Sequence, residues 1–264
     1  MIRREHAGEL VILTQTAHSW VSGQLAARWG NERFARPEPH AEVLLAIEQH
    51  DGGWAEWEER PRLLPDGRPM GFMEMPLADH LSIWRRSAER LAAQSHYASL
   101  LVSMHGVGLL SMRMERRGGR PEARETMGRF LAEQQQRQAA LRAKLAALPS
   151  YAPTLGDAAL DANLRLLQAC DALSLMLCVP WPAQRRLAVP GSAGSRELSA
   201  VVARVERDDT LVVEPWPFAP ARFTVCAECR RLPQTTFAGE EAFHAALAAA
   251  PLARLEFLVE PGAE

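Results

Sequence analysis

Six side chains suited to holding a cation recur through the first two-thirds of the chain: His18, the adjacent pair His50-Asp51, His80, His105 and Asp171. Each lies on or beside an apolar helical stripe. Imidazole and carboxylate groups turned towards a core cost several kcal/mol unless they are paired, hydrogen-bonded or bound to a metal. One such pair is explicable as a core couple, whereas four histidines and two aspartates point to a metal centre. Mixed nitrogen and oxygen donors in this number suit two divalent ions, iron or manganese first, with magnesium, zinc and cobalt as alternatives. Gln15, one turn before His18, could orient a ligand or substrate. Trp54, Trp57 and Trp84 would give the pocket an aromatic wall able to stack a nucleobase or enclose a small organic molecule.

Plainer readings stand beside these. His18 could be a partly exposed helix histidine, His50-Asp51 a hydrogen-bonded helix end, and Asp171 a backbone-bonded aspartate. His80 and His105 could be satisfied core histidines, which would leave a one-metal site. His6, His40, His96 and His244 lack an inward helical register or fall outside the helical part.

The positioning elements follow from periodicity. Leu10 to Leu13 is a short β-rich run suited to an edge strand. Thr14 or Thr16 can cap the next helix, where Ala17, Val21, Leu25 and Trp29 repeat every four residues before Gly30. Pro37 and Pro39 open a second helix with Val43, Ile47, His50, Asp51 and Trp54 on one side, and Gly52-Gly53 stops it. A third carries Leu77, His80, Leu81, Trp84, Ala88 and Leu91. A fourth, about Tyr97 to Met112, aligns Leu101, His105 and Leu109 before Gly118-Gly119 and Pro121. A polar helix, roughly Ala123 to Leu148, would cover the outside. A sixth sets Asp171 in the apolar line Leu160, Leu164, Leu167, Ser174, Cys178 and ends at Pro180-Trp181-Pro182.

Beyond Pro190 the texture turns to β-type runs at Ala200 to Val205, Thr210 to Glu214, Arg222 to Arg230 and Leu255 to Val259, with a short helix at about Gly239 to Ala249. The expected class is α+β: a mainly helical metal-binding domain over residues 1–190 and a small antiparallel sheet subdomain over 191–264 packed on it.

Composition narrows the function. The net charge of −2 offers nothing to nucleic acid or an anionic membrane. The longest apolar run is far short of the ~20 residues that span a bilayer, so a cytoplasmic protein acting on a small molecule is expected, with no nucleic-acid or membrane partner. The four cysteines read as reduced and structural, because the three-residue step of Cys226 and Cys229 in a strand turns them to opposite faces.

The order His18, His50-Asp51, His80, His105, Asp171 resembles the two-metal branch of the HD superfamily, named for its His-Asp dipeptide, over roughly residues 10 to 180. The chain as a whole is also similar to an uncharacterised bacterial family through Gln15, Trp29-Gly30 and His50-Asp51-x-Gly53-Trp54. The superfamily resemblance implies that His18, His50 and Asp171 hold one metal, His80 and His105 a second, and that Asp51, the catalytic carboxylate, bridges both. It implies hydrolysis of a phosphomonoester or phosphodiester by a metal-bridged hydroxide. The sequence departs from the pattern at Trp54, where many phosphohydrolase members carry a lysine; Lys144 is the only lysine here. Arg85, Arg86 or an arginine of the Arg60 to Arg68 loop could take its place. Two alternatives remain open: a di-iron oxygenase of a small organic substrate, which uses the same ligand set, and a non-catalytic metal-binding or sensory module.

Overall fold

The computed structural model describes residues 1–6, 8–117, 121–179, 184–191, 198–207 and 209–262, with backbone alone at 6, 115–117, 121, 122 and 198. The chain opens with an antiparallel hairpin, β1 (Ile2–His6) and β2 (Glu9–Leu13). Thr14 caps α1 (Gln15–Ala26) by accepting the Ala17 N–H at 3.0 Å. Next come α2 (His40–Gln49), a 3-10 turn at Gly52–Trp54 and the short α3 (Ala55–Glu59). The long helices α4 (Leu77–Leu91), α5 (His96–Arg117), α6 (Pro121–Ala146) and α7 (Asp157–Cys178) follow. Then come β3 (Gln184–Pro190), β4 (Leu198–Arg207), β5 (Thr210–Glu214), β6 (Phe223–Leu232), α8 (Glu240–Ala249) and β7 (Leu252–Pro261).

The α+β class holds, but the sheet is not small. Among the described residues it has seven strands in the order β1-β2-β6-β7-β5-β4-β3. Nor is it wholly antiparallel, since β5 and β7 run parallel. The run at Leu10 to Leu13 is interior, paired to β1 on one side and β6 on the other; β1 takes the edge. Periodicity missed β1 and β3. Arginines interrupt the apolar alternation in both: Arg3 and Arg4 in one, Arg185 and Arg186 in the other. The glycine break at Gly118-Gly119 and the Pro180-Trp181-Pro182 stop lie outside the described residues.

One core joins the helices to the sheet. Val21, Leu25, Ile47, Leu101, Leu166, Leu173, Val201, Leu211, Val225 and Phe257 all belong to it. Helix α1 packs on α2, α7 and β6, while α7 packs on β3, β4 and β5. Two glycines permit the close approaches that matter for the site. A Cβ on Gly23 would lie 2.8 Å from Glu48 Cβ, so α1 and α2 meet nearly backbone to side-chain root. A Cβ on Gly53 would lie 2.2 Å from the Ile83 carbonyl oxygen, and the Gly53 N–H donates to Ser87 Oγ at 2.9 Å, locking the 3-10 turn onto α4. Among the described residues no helix is long and apolar enough to cross a membrane.

Candidate metal centre

Five of the six expected ligands converge. His18 comes from α1, His50 and Asp51 from the end of α2, His105 from α5 and Asp171 from α7. His18 Nε2 is 3.2 Å from Asp171 Oδ1 and 3.6 Å from Asp51 Oδ2. His50 Nε2 is 3.7 Å from Asp51 Oδ2 and 3.6 Å from Asp171 Oδ1, and His105 Nε2 is 3.6 Å from Asp171 Oδ2. Most of these gaps are too long for hydrogen bonds. They are close to the roughly 3.0–3.5 Å that separates neighbouring donors bound to one cation at about 2.0–2.2 Å. Two overlapping groups, His18-His50-Asp51 and His50-His105-Asp171, could hold a metal ion, the donor atoms of each lying within 4.8 Å of one another.

Proton accounting supports that fit. His50 Nδ1 lies 2.8 Å from the Ile47 carbonyl, which can only accept, so Nδ1 carries a hydrogen and, in the neutral ring that binds a metal, the Nε2 lone pair faces the carboxylates. His50 Nε2 and both ring nitrogens of His105 are buried without a hydrogen-bond partner among the described residues, and so is Gln15 Oε1 beside them. Leaving such atoms unsatisfied costs about 1–3 kcal/mol each. A cation among them would satisfy His50 Nε2 and His105 Nε2, the nitrogens that face the carboxylates.

The electrostatics are those of a cage waiting for charge. Burial alone would lower the His50 pKa, but Asp51 and Asp171 outweigh it and raise it to about 9. Burial pushes His105 down to about 4, so its ring is neutral near pH 7. Burial also raises Asp51, against the pull of His50 and His18. Asp171 would rise likewise, but its contacts with His18 and His50 hold it well below the usual carboxylate range.

The sequence pattern described as "Protein of unknown function (DUF3891)" matches residues 1–234, which contain all six candidates. The chain belongs to that family. No curated protein and no solved structure matches it.

In this DUF3891 chain the cluster forms the floor of a cavity of about 710 Å³. Gln15, Trp54 and Trp84 line it as expected, while Trp57 stands behind Trp54, edge-on at 5.8 Å, and is not part of the lining. His80 lines the cavity but joins neither ligand group. Its ring stacks on Trp84 at 5.2 Å, and its Nδ1 is 2.7 Å from Arg113 Nη1. Of the arginines expected as phosphate clamps, Arg85 forks onto Glu133 at 2.7 Å, Arg86 pairs with Glu56, Arg62 with Asp79 and Arg68 with Asp66, while Arg60 is exposed and does not line the cavity. Four others line the cavity instead: Arg113, Arg165, Arg185 and Arg186. The last two went unseen because β3 was not recognised as a strand. For Arg165 the signal was present, six positions before Asp171 on the same helix. Ser22 and Ser174, which support His18, were visible only as polar residues in or beside apolar stripes.

Proposed function

We propose that this chain is an HD-type metal-dependent hydrolase of small phosphoesters, with a single divalent ion held by His18, His50, Asp51, Asp171 and His105. One observation carries the metal reading: a buried imidazole, His50, whose tautomer directs its only free lone pair at two carboxylates. The two ligand groups share that lone pair, and one lone pair serves one ion, so a mononuclear centre is the simplest reading. A cation bound there would polarise a phosphoryl oxygen and acidify a water.

The protein's own contribution is orientation and charge. Ile47 and Ser174 hold two imidazoles in register, and burial excludes water from competing with the ligands. Four arginines line the cavity against the two aspartates of the floor, and with Arg165 discounted for its pairing with Asp161 the remaining three still favour an anionic substrate. Trp54, Trp84 and Phe72 supply an apolar wall for its organic part. That wall also supports the second reading, an iron centre that consumes O₂ while oxidising a small organic acid.

The deciding experiment loads purified protein with manganese or with ferrous iron and assays both chemistries. Release of phosphate or nitrophenol from aryl phosphates, abolished by Asp171→Asn, is the expected result. Iron-dependent O₂ uptake without phosphoester cleavage would replace the hydrolase with the oxygenase. Bound metal with neither activity would leave a binding module.

A further inference from the structure

His80 was expected to hold metal, yet its hydrogen bonding is the reverse of His50's. A guanidinium has five N–H donors, no acceptor and no accessible neutral form. The 2.7 Å contact between Arg113 Nη1 and His80 Nδ1 therefore requires Nδ1 to accept. In that tautomer Nε2 carries the hydrogen, so the ring has no lone pair to give a cation at Nε2. Its orientation is set by more than this bond: the ring stacks on Trp84 (5.2 Å, 25° between planes) and meets Trp54 edge-on at 5.6 Å. Both tryptophans line the same cavity as His80 and Arg113.

We propose that His80, oriented and polarised by Arg113, is a substrate-binding residue: its Nε2–H donates a hydrogen bond to an oxyanion of the phosphoester beside the metal centre. The pair would do what a lysine does in the resembling superfamily, from a different helix, in a chain where Trp54 occupies the lysine position. This inference rests on the hydrolase reading and sharpens its substrate class to one presenting a phosphoryl or similar tetrahedral oxyanion. No proton transfer is required of the ring.

The test compares wild type with His80→Phe, which keeps a ring against Trp84 but has no donor, and His80→Gln, which keeps an N–H. Metal content of manganese-reconstituted protein is measured by mass spectrometry, and affinity of the loaded protein for inorganic phosphate by calorimetry. Both variants should retain the wild-type metal content. Phosphate affinity should fall roughly 10- to 100-fold in His80→Phe, the loss expected for a hydrogen bond to a charged group, and less in His80→Gln. Loss of metal in either variant would overturn the proposal by restoring His80 as a ligand, and so would unchanged phosphate affinity in His80→Phe. If His80→Phe does not fold, His80→Leu, which also lacks a donor, takes its place in both measurements, with the same outcomes deciding. Wild-type protein that takes up no metal would defeat the hydrolase reading itself and this inference with it, before any variant is compared.

Discussion

Ser174 Oγ lies 2.6 Å from His18 Nδ1, across the interface of α7 and α1. The Asp171 carbonyl, 2.9 Å away, is an acceptor for the hydroxyl's one hydrogen. With the hydrogen placed there, the oxygen accepts from His18 Nδ1–H and the Nε2 lone pair of His18 faces Asp51 and Asp171. Ser22 completes the chain with a hydroxyl contact of 2.8 Å to Ser174. Ser174→Ala should weaken metal binding by roughly 10- to 100-fold with little change in secondary structure, as removal of an outer hydrogen-bond partner does elsewhere. Calorimetric titration with manganese measures it, and unchanged affinity would break the link.

Removing a carboxylate should be worse. Asp51→Ala and Asp171→Ala each delete an oxygen donor and leave His50 beside one counter-charge instead of two. Each should lower metal affinity by more than the about 100-fold reached by outer partners. Elemental analysis after reconstitution checks this; full metal occupancy in both variants would refute the ligand assignment.

The pH dependence should change sign on metal loading. Without metal, His50 is raised from 6.5 to about 9, and its imidazolium stabilises the fold between two carboxylates. That contribution, on the order of 3 kcal/mol at most, is fully present below pH 6.5 and is lost as pH rises through about 9. With metal bound, His50 must be neutral, so stability should rise with pH over the same window as protons stop competing. Melting temperatures from pH 6 to 10, with and without manganese, should show opposite slopes.

Gly53→Ala should be among the most damaging single substitutions near the site. Its Cβ would meet the Ile83 carbonyl oxygen at 2.2 Å and the Ser87 nitrogen at 2.7 Å, both backbone atoms that cannot step aside. A cost of roughly 1–3 kcal/mol or more is expected. Gly52→Ala, where a Cβ meets nothing within 4 Å, is the control and should stay within about 1 kcal/mol. Urea unfolding compares the two.

The cysteines should be silent in the native protein. All four are free and buried, and burial pushes the Cys178 thiol up to about 12 and Cys170 higher still. A thiol reagent at pH 8 should modify neither until the protein is unfolded. Rapid native labelling of either would contradict their burial.

The helical stripes were legible because each periodic pattern reports its own buried face. Val21 and Leu25 on α1, and Leu160 and Leu167 on α7, point inward as their spacing requires. The same logic marked His18 and Asp171, since a polar group in an apolar stripe is conspicuous. Strands β1 and β3 were less visible. Each lies at an edge of the sheet, where one side of the strand faces solvent and arginines break the alternation that defines a strand in sequence.

What the sequence determined alone was therefore the class of fold, the helices apart from the short α3, and a short roster of side chains too polar for where they sit. The roles within that roster were decided only in three dimensions, because a histidine's role depends on what its second nitrogen touches. Ile47 is three residues from His50, but Ser174 is 156 residues from His18 and Arg113 is 33 from His80. A carbonyl at Nδ1 leaves a lone pair at Nε2, a hydroxyl does so when its own hydrogen goes elsewhere, and a guanidinium leaves a proton there. Helical periodicity can assign a residue to a face, but only packing between helices brings it the partner that sets its tautomer.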